Sequence, residues 1–225
     1  MIIVTGASKG LGKAICERLL SENYKVLGLA RDVSKINFDS MACDVSKYED
    51  IKFVSEMLKK DHAEVTGLIN AAGIASMNLV ITTPPSTIRN IIETNLLGTI
   101  YCCQLLSPFM IRRKSGVIIN FSTIAVALGL KGEAVYSASK AGVEAFSRAF
   151  AREMSSFNIA VNCVAPGPID TALLKGVSKA QIDKIVDAQI IPKQFSPEEI
   201  SDVVEMLLDK RSASLSGQVF NIGGA

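Results

Sequence analysis

The sequence predicts an α/β fold in which a doubly wound parallel sheet of about seven strands lies between two layers of helices. Two observations predict it. The chain opens with the order strand, helix, strand, and short apolar runs then alternate with segments of helical periodicity along the chain. Low-complexity tracts, internal repeats and interdomain linkers are absent. The predicted architecture is therefore a three-layer arrangement in a single domain.

The individual elements follow from these patterns. Residues 2–5 form a short apolar strand, residues 11–22 have helical spacing, and residues 25–30 form the second strand. Further strands are predicted at residues 41–45, 65–69, 117–121, 159–164 and 218–222, and long helices at residues 87–111 and 132–157.

The length of the chain fits one large domain over residues 1–225. A chain of 225 residues that is 48% hydrophobic can bury a complete core. The least regular stretch is residues 168–197, which begins and ends in proline and has few core-like runs. We expect this stretch to be a mobile flap over a binding site.

The charge balance argues against several classes of partner. With 24 Lys and Arg residues against 22 Asp and Glu residues, the net charge of +2 provides no field of a single sign, which disfavours nucleic acid. The apolar stretch at residues 116–130 is shorter than the roughly 20 residues that span a bilayer, so no membrane partner is expected. We expect a small-molecule ligand.

The cysteines and the amino terminus bear on the cellular compartment. Five cysteines form an odd set without CxxC spacing, which predicts a reducing cytoplasm and no structural metal. A strand that begins at residue 2 leaves no room for a secretion signal. The single histidine, His62, lies between a helix and a strand in a solvated turn, so a hydrolase triad is excluded.

A glycine-rich segment, TGASKGLG, occupies residues 5–12 between the first strand and the first helix. Glycine at Gly6, Gly10 and Gly12 lets backbone N–H groups approach a pyrophosphate beside the positive end of a helix. The alternative is an ordinary strand-to-helix turn. The position after the first strand favours a phosphate site.

A second motif, VYSASKAG, places Tyr136 and Lys140 four residues apart on a predicted helix. Both side chains then lie on the same helical face, one turn apart. A surface Tyr–Lys pair is the alternative. The order of the two motifs along the chain makes each of them more informative than it is alone.

With these and four further motifs, the chain resembles the short-chain dehydrogenase/reductase family of Rossmann-fold oxidoreductases over essentially all its length. The further motifs are NAAG at 70–73, ETNLLGT around Asn95, INFST ending at Thr123, and VNCVAPGPIDT at 161–171. The resemblance implies hydride transfer between a nicotinamide cofactor and a carbonyl or secondary alcohol group.

The resemblance also implies a role for each catalytic residue. Tyr136 is the proton donor, and Lys140 assists it and holds the nicotinamide ribose. A phenol pKa that falls by roughly three units requires about 4 kcal/mol of preferential stabilisation of the phenolate. Asn95 anchors a water chain, or is a polar residue packed against backbone groups. Relatives have a serine where this chain has Thr123, and neighbouring Ser122 is the alternative; strand alternation points the two to opposite faces.

The cofactor site that the resemblance implies includes Asp44, which relatives use to bind the adenine amino group. Several relatives that prefer NADP have a cation at the positions of Lys9 and Arg31, and Ala30 stands where relatives that prefer NAD place a carboxylate. Asp32 is contrary evidence, and NADP(H) is favoured over NAD(H). The expected cofactor-binding residues are Gly6, Ser8, Lys9, Gly10, Leu11, Gly12, Arg31, Asp44, Val45, Asn70, Ala71, Gly73, Tyr136, Lys140, Pro166, Gly167, Ile169 and Thr171.

The substrate remains open at the level of the sequence. The carboxyl-terminal segment resembles that of 3-oxoacyl carrier-protein reductases, but Phe157 stands where those enzymes often have a basic residue. The alternatives are a reductase of a sugar, polyol or small ketone, and a cofactor-binding sensor or scaffold without turnover. The helices at residues 87–111 and 132–157 match those that form interfaces in relatives, which implies a homotetramer or a dimer.

Overall fold

A computed structural model describes residues 1–171 and 178–224. The strands within them are β1 (Ile2–Thr5), β2 (Val26–Ala30), β3 (Ser40–Ala42), β4 (Gly67–Asn70), β5 (Gly116–Phe121), β6 (Ile159–Pro166) and β7 (Val219–Ile222). The helices are α1 (Gly10–Ser21), α2 (Tyr48–Lys60), α3 (Pro85–Ile92), α4 (Gly98–Arg113), α5 (Ala125–Leu128), α6 (Ala134–Met154), α7 (Lys179–Asp187) and α8 (Pro197–Leu208).

The strands form a parallel sheet in the order β3-β2-β1-β4-β5-β6-β7. The predicted fold class is confirmed. The direction of winding reverses between β1 and β4, which pair from Ile2 opposite Gly67 to Thr5 opposite Asn70. Open parallel sheets bind ligands at such a switch point, beyond the carboxyl ends of the strands.

Two hydrophobic clusters fill the spaces between the sheet and its helices. One contains residues of α2, α4 and α6 together with Ile3, Leu68 and Ile118 of the sheet. The other contains residues of α1 and α8 on the opposite face, against Val4 and Ile69. Neighbouring positions of one strand thus point into different clusters, because side chains alternate across a strand. Within the described residues, no helix is long and apolar enough to cross a membrane.

The predicted helix over residues 87–111 is helical throughout, but its hydrogen-bond repeat changes in the middle. Helix α3 is followed by a π-helical turn at Glu93–Leu97, and α4 begins only at Gly98. Such a turn adds a residue to the helical repeat and often lies at a functional site. Asn95 lies within the turn and is fully buried.

The other predicted elements differ mainly at their ends. Strand β3 covers Ser40–Ala42 rather than residues 41–45, and β4 covers Gly67–Asn70 rather than residues 65–69. The helix predicted at residues 132–157 begins at Ala134, and a 3-10 turn at Ser155–Phe157 follows its end. Helix ends are set by local hydrogen bonds that periodicity does not report.

The predicted flap at residues 168–197 lies partly outside the described residues, which exclude 172–177. Among those described, the expectation of irregular structure is wrong for Lys179–Asp187, which form α7. The hydroxyl of Ser178 accepts a hydrogen bond from the Gln181 backbone N–H, and Gln181 bonds back, which closes a capping box. That this stretch moves as a flap stays a prediction.

Candidate active site

A cleft of about 510 Å³ opens at the carboxyl edge of the sheet. It brings together residues from the ends of β1, β2, β4, β5 and β6 and from α1 and α6. Of the residues expected from the sequence, the following line the cleft: Gly6, Ser8, Lys9, Gly10, Leu11, Gly12, Arg31, Asp44, Val45, Ala71, Gly73, Thr123, Tyr136, Lys140, Pro166, Gly167, Ile169 and Thr171. The side chains of Asn70 and Asn95 do not line it in the part of the chain that the structure describes.

The glycine-rich turn forms one wall of the cleft, and two of its positions, Gly6 and Gly12, have no room for a larger residue. Gly6 has φ +72°, and a Cβ atom there would lie 2.9 Å from the Cα atom of Ala72. A Cβ atom on Gly12 would overlap the carbonyl oxygen of Gly6. The first turn of α1 follows directly, and the side chain of its N-cap residue, Lys9, does not cap it. Its N–H groups and positive dipole fit a pyrophosphate group.

Buried polar contacts fix the neighbouring strand ends. The hydroxyl of Thr5 accepts a hydrogen bond of 3.0 Å from the backbone N–H of Ala72, which joins β1 to the loop after β4. The Asn70 amide donates to the side-chain oxygen of Asn120 on β5 at 2.8 Å. Asn70 thus ties the end of β4 to β5.

The far end of the cleft carries two exposed cations. Lys9 and Arg31 both line it, whereas the Asp32 carboxylate accepts a hydrogen bond from the backbone N–H of Ser34 at 2.9 Å and is not part of the lining. Asp44 lines the same region, and one of its carboxylate oxygens accepts hydrogen bonds from Ser46. This end can hold an anionic group beside Lys9 and Arg31.

The opposite end of the cleft contains Thr123, Tyr136 and Lys140. The Lys140 ammonium group is buried and donates a hydrogen bond of 2.8 Å to the carbonyl oxygen of Phe121. Burial lowers the pKa of Lys140 to about 8, because an apolar environment disfavours the charged form. Helix α6 places Lys140 one turn after Tyr136 on the same face.

Burial has the opposite effect on Tyr136, because its charged form is the phenolate. The pKa of the Tyr136 hydroxyl is raised mainly by burial and further by the carboxylate of Glu133. The nearby Thr123 hydroxyl opposes this rise. The protein alone therefore favours a protonated Tyr136, which is the form that donates a proton to a substrate oxygen.

Ser122 and Thr123 turn to different partners. The Ser122 hydroxyl donates a hydrogen bond of 2.7 Å to the carboxylate of Glu144, whereas Thr123 is beside Tyr136. Strand β5 ends at Phe121, so the turn after the strand separates the two side chains rather than the strand alternation that we expected. Both residues line the cleft, but only the Thr123 hydroxyl lies beside that of Tyr136.

Asn95 lies behind the cleft. Its side chain accepts a hydrogen bond of 2.9 Å from the backbone N–H of Ile74 and donates to the Ile74 carbonyl and to the Ser139 hydroxyl. A Cβ atom on Gly73 would lie 3.4 Å from the Asn95 side-chain oxygen and 3.5 Å from the Lys140 nitrogen. Asn95 therefore joins the loop after β4 to helix α6.

Comparison with known proteins agrees with this geometry. The family model described as short chain dehydrogenase matches residues 1–182. The chain belongs to the short-chain dehydrogenase family. This confirms the resemblance inferred from its motifs, and members of this family are oxidoreductases that use nicotinamide cofactors.

Individual relatives of this short-chain dehydrogenase cover nearly the whole chain. Carbonyl reductase family member 4 of Xenopus tropicalis is 33% identical, over 98% of this chain and 95% of its own length. The 3-oxoacyl-(acyl-carrier-protein) reductase FabG of Staphylococcus epidermidis is 32% identical, over 99% of this chain and 96% of its own. The solved structure of ElxO with NADP bound has a TM-score of 0.88 at 26% identity, over 98% and 96% of the two chains.

Sequence reasoning missed several residues of the short-chain dehydrogenase site. Glu133 lines the cleft three residues before Tyr136, a helical spacing that the sequence showed. Glu144, the partner of Ser122, lies four residues after Lys140. Other apolar residues of the lining come from segments between the regular elements, where periodicity predicts nothing, and these include Ile74, Met77, Ile124 and Leu130, whereas Ile185 comes from α7.

Proposed function

We propose that this short-chain dehydrogenase transfers a hydride between NADP(H) and the carbonyl or secondary alcohol carbon of a small molecule. The observation that carries the proposal is that one cleft contains both a glycine cradle suited to a pyrophosphate and the group of Thr123, Tyr136 and Lys140. A binding module has no need for a buried proton donor beside a buried ammonium group.

Thr123, Tyr136 and Lys140 have different roles in the proton transfer. The bound nicotinamide supplies the hydride in reduction and accepts it in oxidation. Thr123 donates a hydrogen bond to the substrate oxygen, which orients the carbonyl group. Tyr136 donates its proton to the same oxygen, and the Lys140 ammonium favours the phenolate that results. In oxidation the phenolate takes the proton back.

The residues of the cleft wall would hold the cofactor. The turn at Gly6, Gly10 and Gly12 and the first N–H groups of α1 fit the pyrophosphate. Lys140 is also placed to bind the nicotinamide ribose, and Asp44 to bind the adenine. Asn95 supports this wall from behind, as the anchor of the water chain that reloads Tyr136.

Three observations support NADP(H) over NAD(H). Arg31 and Lys9 line the cleft where a 2′-phosphate would lie, and the Asp32 carboxylate is turned to Ser34. The solved structure of ElxO, which is 26% identical to this chain, has NADP bound.

Two substrate classes are proposed. The identity with FabG supports a 3-oxoacyl thioester. A sugar, polyol or small ketone is the alternative, supported by Phe157 at the expected carrier-docking position and by the carbonyl reductase relative. A homo-oligomer, a tetramer or a dimer, is proposed from the family. A cytoplasmic location is proposed because all five cysteines are buried free thiols.

The first test is the rate of NADPH oxidation with an acetoacetyl thioester, run beside NADH at equal concentrations. We expect multiple turnovers with NADPH and slower turnover with NADH. Turnover confined to small ketones or sugars would select the alternative substrate class. Cofactor binding without turnover of any carbonyl compound would contradict the proposed enzyme and favour a sensor or scaffold.

A further inference from the structure

Glu133 is a carboxylate at the catalytic end of the cleft that the proton chemistry does not use. It occupies the N-cap position of α6, immediately before Ala134, and lies three residues before Tyr136. It lines the cleft and is partly buried. Glu133 and Tyr136 line the same cleft, and the Glu133 carboxylate is close enough to raise the pKa of Tyr136, so the two side chains face the same space.

The Glu133 carboxylate has no partner among the residues that the structure describes. An N-cap side chain usually accepts a hydrogen bond from its own helix, but this one does not. Glu144, another partly buried carboxylate on the same helix, accepts a hydrogen bond from Ser122 and pairs with Arg148. A carboxylate that is both sheltered and unpaired is costly, and the cost falls when a ligand donates to it.

Two residues of the cleft lining lie close to Glu133. The Glu133 backbone N–H donates a hydrogen bond to the Leu130 carbonyl, and a Cβ atom on Gly132 would lie 3.9 Å from the backbone of Met77. Lys140 lines the same end of the cleft, but its ammonium group donates to the Phe121 carbonyl. Burial raises the pKa of Glu133, because a sheltered environment disfavours its charged form.

We propose that Glu133 determines substrate specificity by accepting a hydrogen bond from a hydroxyl group on the carbon next to the reacting carbonyl. The inference rests on the proposed function and selects one of its two substrate classes. A substrate whose carbonyl oxygen is held by Tyr136 and Thr123 presents its neighbouring carbon toward Glu133, one turn away on α6. The favoured substrates are therefore α-hydroxy ketones and hydroxy aldehydes, the class that includes sugars. A hydrocarbon group in the same place leaves the carboxylate without a donor.

The test compares 1-hydroxybutan-2-one with pentan-3-one, which differ by a hydroxyl in place of a methyl group. With NADPH, we expect kcat/KM to be about 10- to 100-fold higher for the hydroxy ketone, mainly through a lower KM. The Glu133→Leu variant loses this preference and gains activity toward pentan-3-one. Glu133→Gln keeps part of it, because an amide oxygen still accepts a hydrogen bond.

The matched control is Glu153→Gln, which changes an exposed carboxylate near the far end of the same helix and leaves the preference unchanged. Equal kcat/KM values for the two ketones in the wild-type enzyme, or a preference that survives in Glu133→Leu, would overturn the role of Glu133.

A binding measurement covers the case in which neither ketone is reduced. Both ketones are titrated into the NADPH complex of Tyr136→Phe, and we expect tighter binding of the hydroxy ketone. Equal affinities there would again overturn the role of Glu133 while NADPH binding supports the cofactor site. A chain that neither binds NADPH nor reduces any carbonyl compound contradicts the proposed function itself.

Discussion

The two ends of the cleft are formed by different chemical groups. The end near Gly6 and Gly12 is made of backbone, a helix N-terminus and exposed cations such as Arg31. The end near Tyr136 and Lys140 is made of side chains in a sheltered environment that shifts their pKa values in opposite directions. The first end is suited to hold a charged group, and the second to move a proton.

The difference shows how one sheet edge serves two tasks. Backbone N–H groups bind a phosphate without titrating, so the cradle works over a wide pH range. Proton transfer needs groups whose protonation changes easily. Burial brings the pKa of Lys140 to about 8 but raises that of Tyr136, which is opposite to the fall that we expected for the phenol. Substitutions at the two ends should therefore have different effects on activity, stability and cofactor binding, and five of them test this contrast.

The largest effect is expected from Tyr136→Phe. Loss of the proton donor should lower kcat by about 10²- to 10⁴-fold, because the ring remains but the transferred proton does not. The NADPH dissociation constant, measured by fluorescence titration, should stay nearly unchanged. Tyr48→Phe removes a hydroxyl from the first residue of α2 and is the matched control. Retained activity in Tyr136→Phe would contradict the assignment of Tyr136 as the proton donor.

Lys140→Met should stabilise the fold in the absence of the cofactor. The pKa of Lys140 is lowered from 10.5 to about 8, so below pH 8 the folded protein carries a charge that water would solvate better. The gain is up to about 3 kcal/mol at pH 7, less the lost hydrogen bond to Phe121. It should shrink as the pH rises from 8 to 10.5, where the native and then the unfolded lysine lose their protons.

Denaturant unfolding of wild type and Lys140→Met between pH 7 and 10 measures this difference. Taking the difference cancels the contribution of Cys16, Cys43 and Cys103, whose pKa values burial raises to about 12. The contribution of Cys163 does not cancel fully, because Lys140 lowers its pKa. Lys60→Met, at the exposed end of α2, is the control for removing one charge. A stability difference that does not change with pH would contradict a buried, destabilised ammonium group.

Thr123→Ala and Ser122→Ala should separate catalysis from stability. Thr123→Ala should lower kcat/KM by about 10-fold, since one hydrogen bond to the substrate oxygen is lost. Ser122→Ala should keep most activity but destabilise the fold by about 1–3 kcal/mol, because the sheltered Glu144 carboxylate loses its donor. Steady-state kinetics and thermal unfolding measure both. A fully active Thr123→Ala beside an inactive Ser122→Ala would reverse the assignment.

The smallest effect is expected at the cofactor end. Reversal of charge in Arg31→Glu should weaken the binding of NADPH about 10-fold more than the binding of NADH, because an exposed ion pair contributes about 1 kcal/mol. Dissociation constants for the two cofactors measure it, and Lys35→Glu serves as the control on an exposed neighbour. Equal losses for both cofactors would count against a 2′-phosphate site beside Arg31.

Most of the predicted site residues lie in short contiguous motifs of the sequence. Residues 5–12 lie in one turn and Tyr136 and Lys140 lie on one helical face, so spacing alone related their positions. Asn70 and Asn95 illustrate the limit. Both fall within recognisable motifs, yet both side chains turn away from the cleft to bond with Asn120 and with Ile74.

The sequence by itself determined the order of elements, the parallel sheet and the two motifs, because local periodicity and turn residues encode them. Only the tertiary structure decided that Ser122 bonds to Glu144 while Thr123 reaches Tyr136, and that Glu133 enters the cleft without a partner among the described residues. Those outcomes depend on which distant segments pack together and exclude water. Burial of this kind sets the pKa values of Tyr136 and Lys140, and residue spacing does not report it.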